Sequence, residues 1–203
     1  MKKNRDYTQD LADIRSMMER SSKFMSLSGL AGVMAGIYAL VGVWIVYSIL
    51  NLSAAQFESG LGPEHQLQLS IVGAIVLVLS LGTAVAFSYR KAVNRGETVW
   101  NATSKRMLAN MFMPLFTGGI LILIAMMKDV TLLVLPMSLI FYGMALYNAS
   151  NFSYSDVKYL GLTQVGLGLF AALYPDYGLI LWAIGFGAVH IVYGIYMHIR
   201  YER

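Results

Sequence analysis

The sequence predicts an all-α integral membrane protein with six transmembrane helices, arranged as three consecutive hairpins. Two observations predict this fold. Hydrophobic residues make up 57% of the 203 residues and charged residues only 13%, whereas a soluble domain of this length needs more charge on its surface. The apolar residues also occur in blocks of about 20, the length of helix that crosses a hydrocarbon core of about 30 Å. The lipid bilayer is therefore the first expected partner.

The apolar blocks divide the chain into two parts. We expect a transmembrane domain over 29–203, with spans at about 29–50, 68–89, 107–127, 130–149, 159–174 and 178–199. In the preceding segment, 1–28, apolar residues from Leu11 to Leu27 recur at roughly helical spacing among charged residues. This pattern predicts a cytoplasmic amphipathic helix on the membrane surface. A solvated helical extension without a binding role is the alternative.

Lys and Arg are concentrated in alternate segments between the predicted spans. Fourteen of the 15 basic residues lie before the first span, in the loops after the second and fourth, or at the C-terminal end. Only Lys128 lies on the opposite side. Because short cytoplasmic loops are enriched in Lys and Arg, both termini are predicted to be cytoplasmic. The net charge of +4 follows from this topology and does not indicate nucleic-acid binding.

Small residues predict close helix packing. Ser28, Gly32 and Gly36 recur at four-residue spacing at the start of the first span, and Gly168 and Gly194 lie within the fifth and sixth. Small residues at this spacing let another helix backbone approach closely. Two partners remain open for the first-span stripe: a neighbouring span of the same chain, which we favour, and a second copy in a homo-oligomer.

His190 is the one ionisable residue near the middle of a predicted span. Ionisable groups in a membrane core are costly and are functional candidates by default. Polar residues of other spans that could meet it at similar depth are Thr117, Ser138, Tyr142 and Gln164. One interpretation is a proton-accepting or ligand-contacting site, because imidazole titrates near pH 6.5. The other, which we favour, is a neutral histidine that joins helices through a hydrogen bond.

The sequence lacks the motifs of common catalytic and cofactor sites. It contains no cysteine, and its three histidines lie in different layers without a carboxylate cluster, so no metal site is predicted. We find no phosphate-binding loop, dinucleotide motif or Ser-His-Asp set. We therefore expect a non-enzymatic protein without a cofactor that acts by assembling with itself or with a partner, such as a cytoplasmic protein bound by residues 1–28. A small channel or transporter with His190 in a polar path between hairpins is the alternative.

The hairpins resemble one another and also a known family. Aligning Tyr142-Gly143 with Tyr193-Gly194 superposes the fourth span on the sixth, which predicts a hairpin repeat. The segments GLAGVMAGIYALVG and GLGLFAALYPDYGLILWAIGFGAVHIVYGI resemble acid-resistance membrane proteins of the HdeD type, best over 161–200. DIRSMMERSSKFMSLSGL is also similar to the opening of uncharacterised six-span bacterial membrane proteins. The HdeD-type resemblance implies a bacterial inner membrane and a role in stress or envelope maintenance, whereas the second similarity implies no function.

The predicted topology can be tested by labelling. Tags at Lys2 and Arg203 are expected to be shielded from impermeant reagents in sealed, right-side-out cells, because the basic segments remain inside. A probe in the segment 55–64 is expected to be labelled from outside. External labelling of either terminus would contradict the six-span arrangement.

Overall fold

The computed structural model describes residues 27–50, 61–94, 96 and 99–202. It is 87% helical, and the described residues form no strand. The predicted amphipathic helix in the segment 1–28 lies outside these residues, except for its last two positions.

Within the described ranges, six long helical segments follow one another. They are α1 Gly29–Ile49, α2 Pro63–Asn94, α3 Ala102–Met127, α4 Thr131–Ala149, α5 Val157–Leu173 and α6 Pro175–Tyr201. All except α5 are long and apolar enough to cross a membrane, and α5 is apolar but has only 17 residues. Helix α2 extends beyond the predicted span 68–89 at both ends. The reason is that hydropathy marks only the apolar part of a helix, while polar residues can continue its backbone hydrogen bonds into the interface.

Local sequence signals explain where several helices begin. Helix α2 starts at Pro63, whose missing N–H is not needed in a first turn. Helix α3 starts after Asn101, whose side chain accepts from the backbone N–H of Ser104 at 2.8 Å. The Ser104 hydroxyl accepts from the backbone N–H of Asn101 at 3.0 Å, which completes a reciprocal capping box. The turn from α3 to α4 is tight because Asp129 adopts φ 57°, a left-handed conformation that Asp tolerates.

The helices pack as two groups that share α6. Helix α1 packs against α2 on one side and against α6 on the other. Helix α4 lies between α3 and α5, and its contact with α5 is the most extensive in the described bundle. Helix α6 also contacts α4 and α5, so it joins the groups. Helix α2 remains peripheral, since no residue in its most apolar 18-residue window is buried.

The first and last helices approach so closely that their backbones touch. A Cβ atom added at Gly194 would lie 2.6 Å from both Gly29 O and Val33 N. One added at Gly36 would lie 2.7 Å from Gly187 O. The stripe predicted at Ser28, Gly32 and Gly36 therefore packs at its two glycines against α6 of the same chain.

A second close crossing joins α4 and α5. A Cβ atom at Gly143 would lie 2.6 Å from Gly161 O, and one at Gly161 would lie 2.7 Å from Gly143 O. Gly168 packs against the backbone of Ile140, where a Cβ would meet the amide nitrogen at 3.0 Å. Both crossings therefore require positions without a side chain.

Substituting these glycines should separate packing from helix propensity. Gly194→Ala is expected to destabilise the protein by about 1–3 kcal/mol, because the added methyl group overlaps backbone atoms that cannot rotate away. Gly73→Ala is the matched control, because no atom lies within 4 Å of a Cβ at Gly73. It is expected to be neutral or to stabilise by up to about 1 kcal/mol through helix propensity. The measurement is reversible unfolding in mixed micelles, and equal stability of both variants would contradict the close crossing.

Candidate functional site

His190 and two of the polar residues predicted to meet it near the middle of the membrane come together inside the bundle. His190 of α6 lies between Tyr142 of α4 and Gln164 of α5. Tyr142 Oη is 3.0 Å from His190 Nε2, and Gln164 Nε2 is 3.2 Å from His190 Nδ1. His190 is 5% exposed and Gln164 is fully buried, so this cluster is withdrawn from the bundle surface. We call these three side chains the His190 cluster.

The carbonyl of Gly185 is the hydrogen-bonding centre of the His190 cluster. It accepts from Gln164 Nε2 at 2.7 Å, and His190 Nδ1 lies 2.8 Å away. Residues Ala183–Val189 form a π-helical turn, and the backbone N–H of His190 donates to Gly187 O. The Gly185 carbonyl is thus open to side-chain donors. A Cβ at Gly185 would lie 2.6 Å from Gln164 Oε1, so a larger residue here would force the Gln164 side chain to shift.

These contacts favour one tautomer of His190. A carbonyl oxygen can only accept, so its 2.8 Å contact places a proton on His190 Nδ1. His190 Nε2 is then free to accept from the Tyr142 hydroxyl. In this tautomer Gln164 Nε2 and His190 Nδ1 are both donors, so their 3.2 Å contact is not a hydrogen bond. Both ring nitrogens of a neutral imidazole are thus satisfied within the protein, as a dry environment requires.

Aromatic rings cover the cluster on the side of α6. Phe186 stacks on His190, with ring centroids 5.7 Å apart, and Trp182 packs on Phe186. Trp182 Nε1 donates to Ser138 Oγ at 3.1 Å. The predicted site residue Ser138 therefore forms its hydrogen bond with Trp182, which Phe186 separates from His190.

Thr117 lies apart from the other predicted site residues. It lines a groove of about 570 Å³ between α3, α4 and α5, together with Pro114 and Phe141. His190 does not line this groove. It also does not line a second groove, which lies where α1 begins and where α2 and α6 end. The structure thus joins Tyr142, Gln164 and His190, and places Ser138 and Thr117 elsewhere.

Sequence reasoning missed the contributions of Gly185, Phe186 and Trp182. The two aromatic residues were in principle detectable, because they precede His190 by four and eight positions and so share its helix face. The role of the Gly185 carbonyl was not detectable. It depends on the π-helical turn, which a glycine-rich apolar sequence does not distinguish from a regular α-helical turn.

A second polar cluster, also missed from the sequence, joins the ends of three helices. Glu202 Oε1 accepts from the backbone N–H of Gly29 at 2.7 Å and from Lys91 Nζ at 2.9 Å. Glu202 Oε2 lies 2.6 Å from His198 Nδ1. Partial burial by itself raises the pKa of Glu202, but the hydrogen bonds from His198, Gly29 and Lys91 outweigh it and lower the pKa. Glu202 is therefore ionised at neutral pH and pairs with Lys91; we call these residues the Glu202 cluster.

Neither cluster has the composition of a metal centre. Within the described ranges, no three His, Cys, Asp or Glu side chains are grouped so that they could hold a metal ion. The side chains of the two clusters can form hydrogen bonds, accept a proton at His190 and form an ion pair at Glu202.

The fold and these clusters indicate a multi-pass helical membrane protein. Comparison with protein-family models, with curated proteins and with solved structures finds no match. The resemblance to HdeD-type proteins therefore stays a prediction.

The hydrogen bond between Tyr142 and His190 can be tested by removing one hydroxyl. Tyr142→Phe leaves His190 Nε2 without a donor and is expected to destabilise the protein by about 0.6–1.7 kcal/mol, the range for hydrogen bonds between membrane helices. Tyr147→Phe is the matched control, since Tyr147 is 43% exposed and its hydroxyl has no hydrogen bond within the described chain. Unfolding in bicelles measures both variants. Equal stability of Tyr142→Phe and wild type would show that the bond contributes nothing.

Proposed function

We propose that this chain is a non-enzymatic, six-span protein of the bacterial inner membrane that acts by assembling with a second copy of itself or with a partner. The proposal includes three hairpins and cytoplasmic termini, and a role in stress resistance or envelope maintenance. The observation that carries it is the peripheral position of α2, a 32-residue helix whose most apolar window has no buried residue.

The outer face of α2 has the pattern of a helix-packing surface. Leu67, Ile71, Ile75 and Val78 are at least 50% exposed and recur every three or four residues, and Gly82 continues the series. The residues of α2 that pack against α1, such as Val72 and Val76, lie on a different face. Lipid tails cover apolar side chains as well as a protein does, so the exposed side chains alone do not require a partner. A small residue within the stripe is what supports helix association, because it permits close approach.

The His190 cluster supports the same function. Its hydrogen bonds join α4, α5 and α6, and neutral His190 needs no water to satisfy its ring nitrogens. Such a cluster stabilises one arrangement of three helices. The geometry thus favours a rigid bundle that presents α2.

Self-assembly can be tested by enlarging the small residue in the α2 stripe. Gly82→Leu is expected to shift the protein from oligomer to monomer in nanodiscs, with unchanged thermal stability, because a Cβ at Gly82 meets no atom within 4 Å. Gly119→Leu on α3 is the control, as Gly119 is equally open, and it should leave the oligomer intact. Native mass spectrometry measures the oligomeric state.

Two results would count against self-assembly through α2. A wild-type monomer at every protein-to-lipid ratio would exclude it and leave only assembly with a different partner. Equal dissociation by Gly82→Leu and Gly119→Leu would show that bulk on any lipid-facing surface disturbs the oligomer.

One observation favours a small channel or transporter as the second candidate. Gln164 Oε1 is buried beside His190 and has no hydrogen-bond partner within the described chain. A buried acceptor without a donor is uncommon, and π-helical turns occur frequently at functional sites. A water or transported species that entered the cluster would supply the donor.

Flux measurements distinguish the two candidates. A transporter should show proton or solute flux in proteoliposomes that varies between pH 5 and 8, and His190→Leu should abolish it, because leucine cannot titrate. An assembly protein should show no flux above empty vesicles in either form. Residual flux that is equal in wild type and His190→Leu would exclude His190 from any pathway.

A further inference from the structure

A groove opens where α1 begins and where α2 and α6 end, beside the Glu202 cluster. Its volume is about 410 Å³, and its lining includes Ser28, Arg90 and Asn94 at the polar end and Leu30 and Phe87 at the apolar end. The positive-inside pattern predicts that this end of the bundle faces the cytoplasm. The groove therefore lies at the level where phospholipid headgroups meet the hydrocarbon core.

The charges of Lys91 and Glu202 compensate each other within the groove wall. The ammonium group of Lys91 donates to Leu27 O at 2.6 Å and to Glu202 Oε1 at 2.9 Å, and lies 3.4 Å from Tyr154 Oη. All three of its donors are thus directed at protein oxygens. Both Glu202 oxygens also have hydrogen-bond partners in the protein. This ion pair stabilises the helix ends and offers little to a ligand.

Arg90 is a charged residue of the groove lining that is not neutralised by an ion pair within the described chain. Its side chain is exposed and makes no hydrogen bond or ion pair within the described chain. Asn94 lies one helical turn further along α2 on the same face, and its amide also has no partner among the described residues. A planar guanidinium with free N–H groups binds a phosphate through two parallel hydrogen bonds. The polar end of the groove is thus suited to a phosphate group.

The apolar end decides which phosphate compound fits. Phe87 precedes Arg90 by three residues, which places it about 4.5 Å deeper along α2. Leu30 is 43% exposed and lies just inside the start of α1. A soluble phosphate would use only Arg90 and Asn94, whereas a phospholipid would also place an acyl chain against Leu30 and Phe87. The polar groups at the helix ends and the apolar groups deeper along the helices therefore match the headgroup and the acyl chain of a phospholipid.

We propose that this groove binds the phosphodiester headgroup of an anionic phospholipid from the cytoplasmic leaflet. Arg90 binds the phosphate, Asn94 and Ser28 donate further hydrogen bonds, and Leu30 and Phe87 contact an acyl chain. Because the groove spans the joint between the first helix and the last, a bound lipid stabilises the closed bundle. This role is independent of whether the protein assembles or transports.

The proposal can be tested with purified protein in neutral detergent. Dioleoylphosphatidylglycerol is expected to raise the melting temperature and to remain bound in native mass spectrometry, and dioleoylphosphatidylcholine to do so much less. Arg90→Gln should weaken phosphatidylglycerol binding about fivefold, the effect expected for one cation at an anionic headgroup. Arg106→Gln is the matched control, because Arg106 is an exposed arginine near the start of α3, outside the groove.

Soluble compounds distinguish a lipid from a free phosphate. Inorganic phosphate and glycerophosphoglycerol, which has the headgroup without acyl chains, should give no shift at the concentrations where phosphatidylglycerol acts. Stabilisation by either one to the same extent would overturn the lipid assignment in favour of a soluble anion. Equal loss in Arg90→Gln and Arg106→Gln would overturn the site itself, since it would show attraction to surface charge in general.

Discussion

The contact between the backbones of α1 and α6 is the constraint on which the rest of the structure depends. At Gly29, Gly36 and Gly194, a single added carbon would overlap main-chain atoms of the other helix. Association in lipid gains little from apolar burial, so close van der Waals packing must supply the attraction. This contact joins the first helix of the bundle to the last. It also holds α1 against the π-helical turn of α6, on which the His190 cluster is built.

Helix α6 is held at two depths by two different kinds of polar interaction. In the interior, neutral His190 uses both ring nitrogens for hydrogen bonds, because an isolated charge there would be costly. At the end of the helix, Glu202 and Lys91 form an ion pair, with 11% of each side chain exposed. Partial access to solvent lowers the desolvation penalty that makes buried ion pairs unfavourable. The type of interaction therefore follows the polarity of each layer.

The proposed function and the proposed lipid site depend on surfaces and side chains that these interactions do not occupy. The His190 cluster satisfies its histidine internally, which favours a structural role over catalysis. Helix α2 contributes Lys91 to the Glu202 cluster and packs on α1, yet most of its apolar surface has no protein neighbour. Arg90 lies beside a compensated ion pair and has no partner of its own within the described chain. The outer face of α2 and the groove at its end are thus two surfaces that the described bundle leaves open to an external partner.

The sequence by itself determined the helical class and the approximate location of each apolar helix, because hydropathy and span length follow directly from composition. It also identified His190, with Tyr142 and Gln164 among its neighbours, since polar residues are rare in apolar spans. Only the tertiary structure decided that Ser138 and Thr117 lie away from His190, because equal depth does not determine which helix face points inward. The same is true of the α1–α6 crossing, since a glycine stripe predicts close packing without naming its partner. The Glu202 cluster and the π-helical turn depend on contacts between distant segments and on backbone register, and neither leaves a local signal in the sequence.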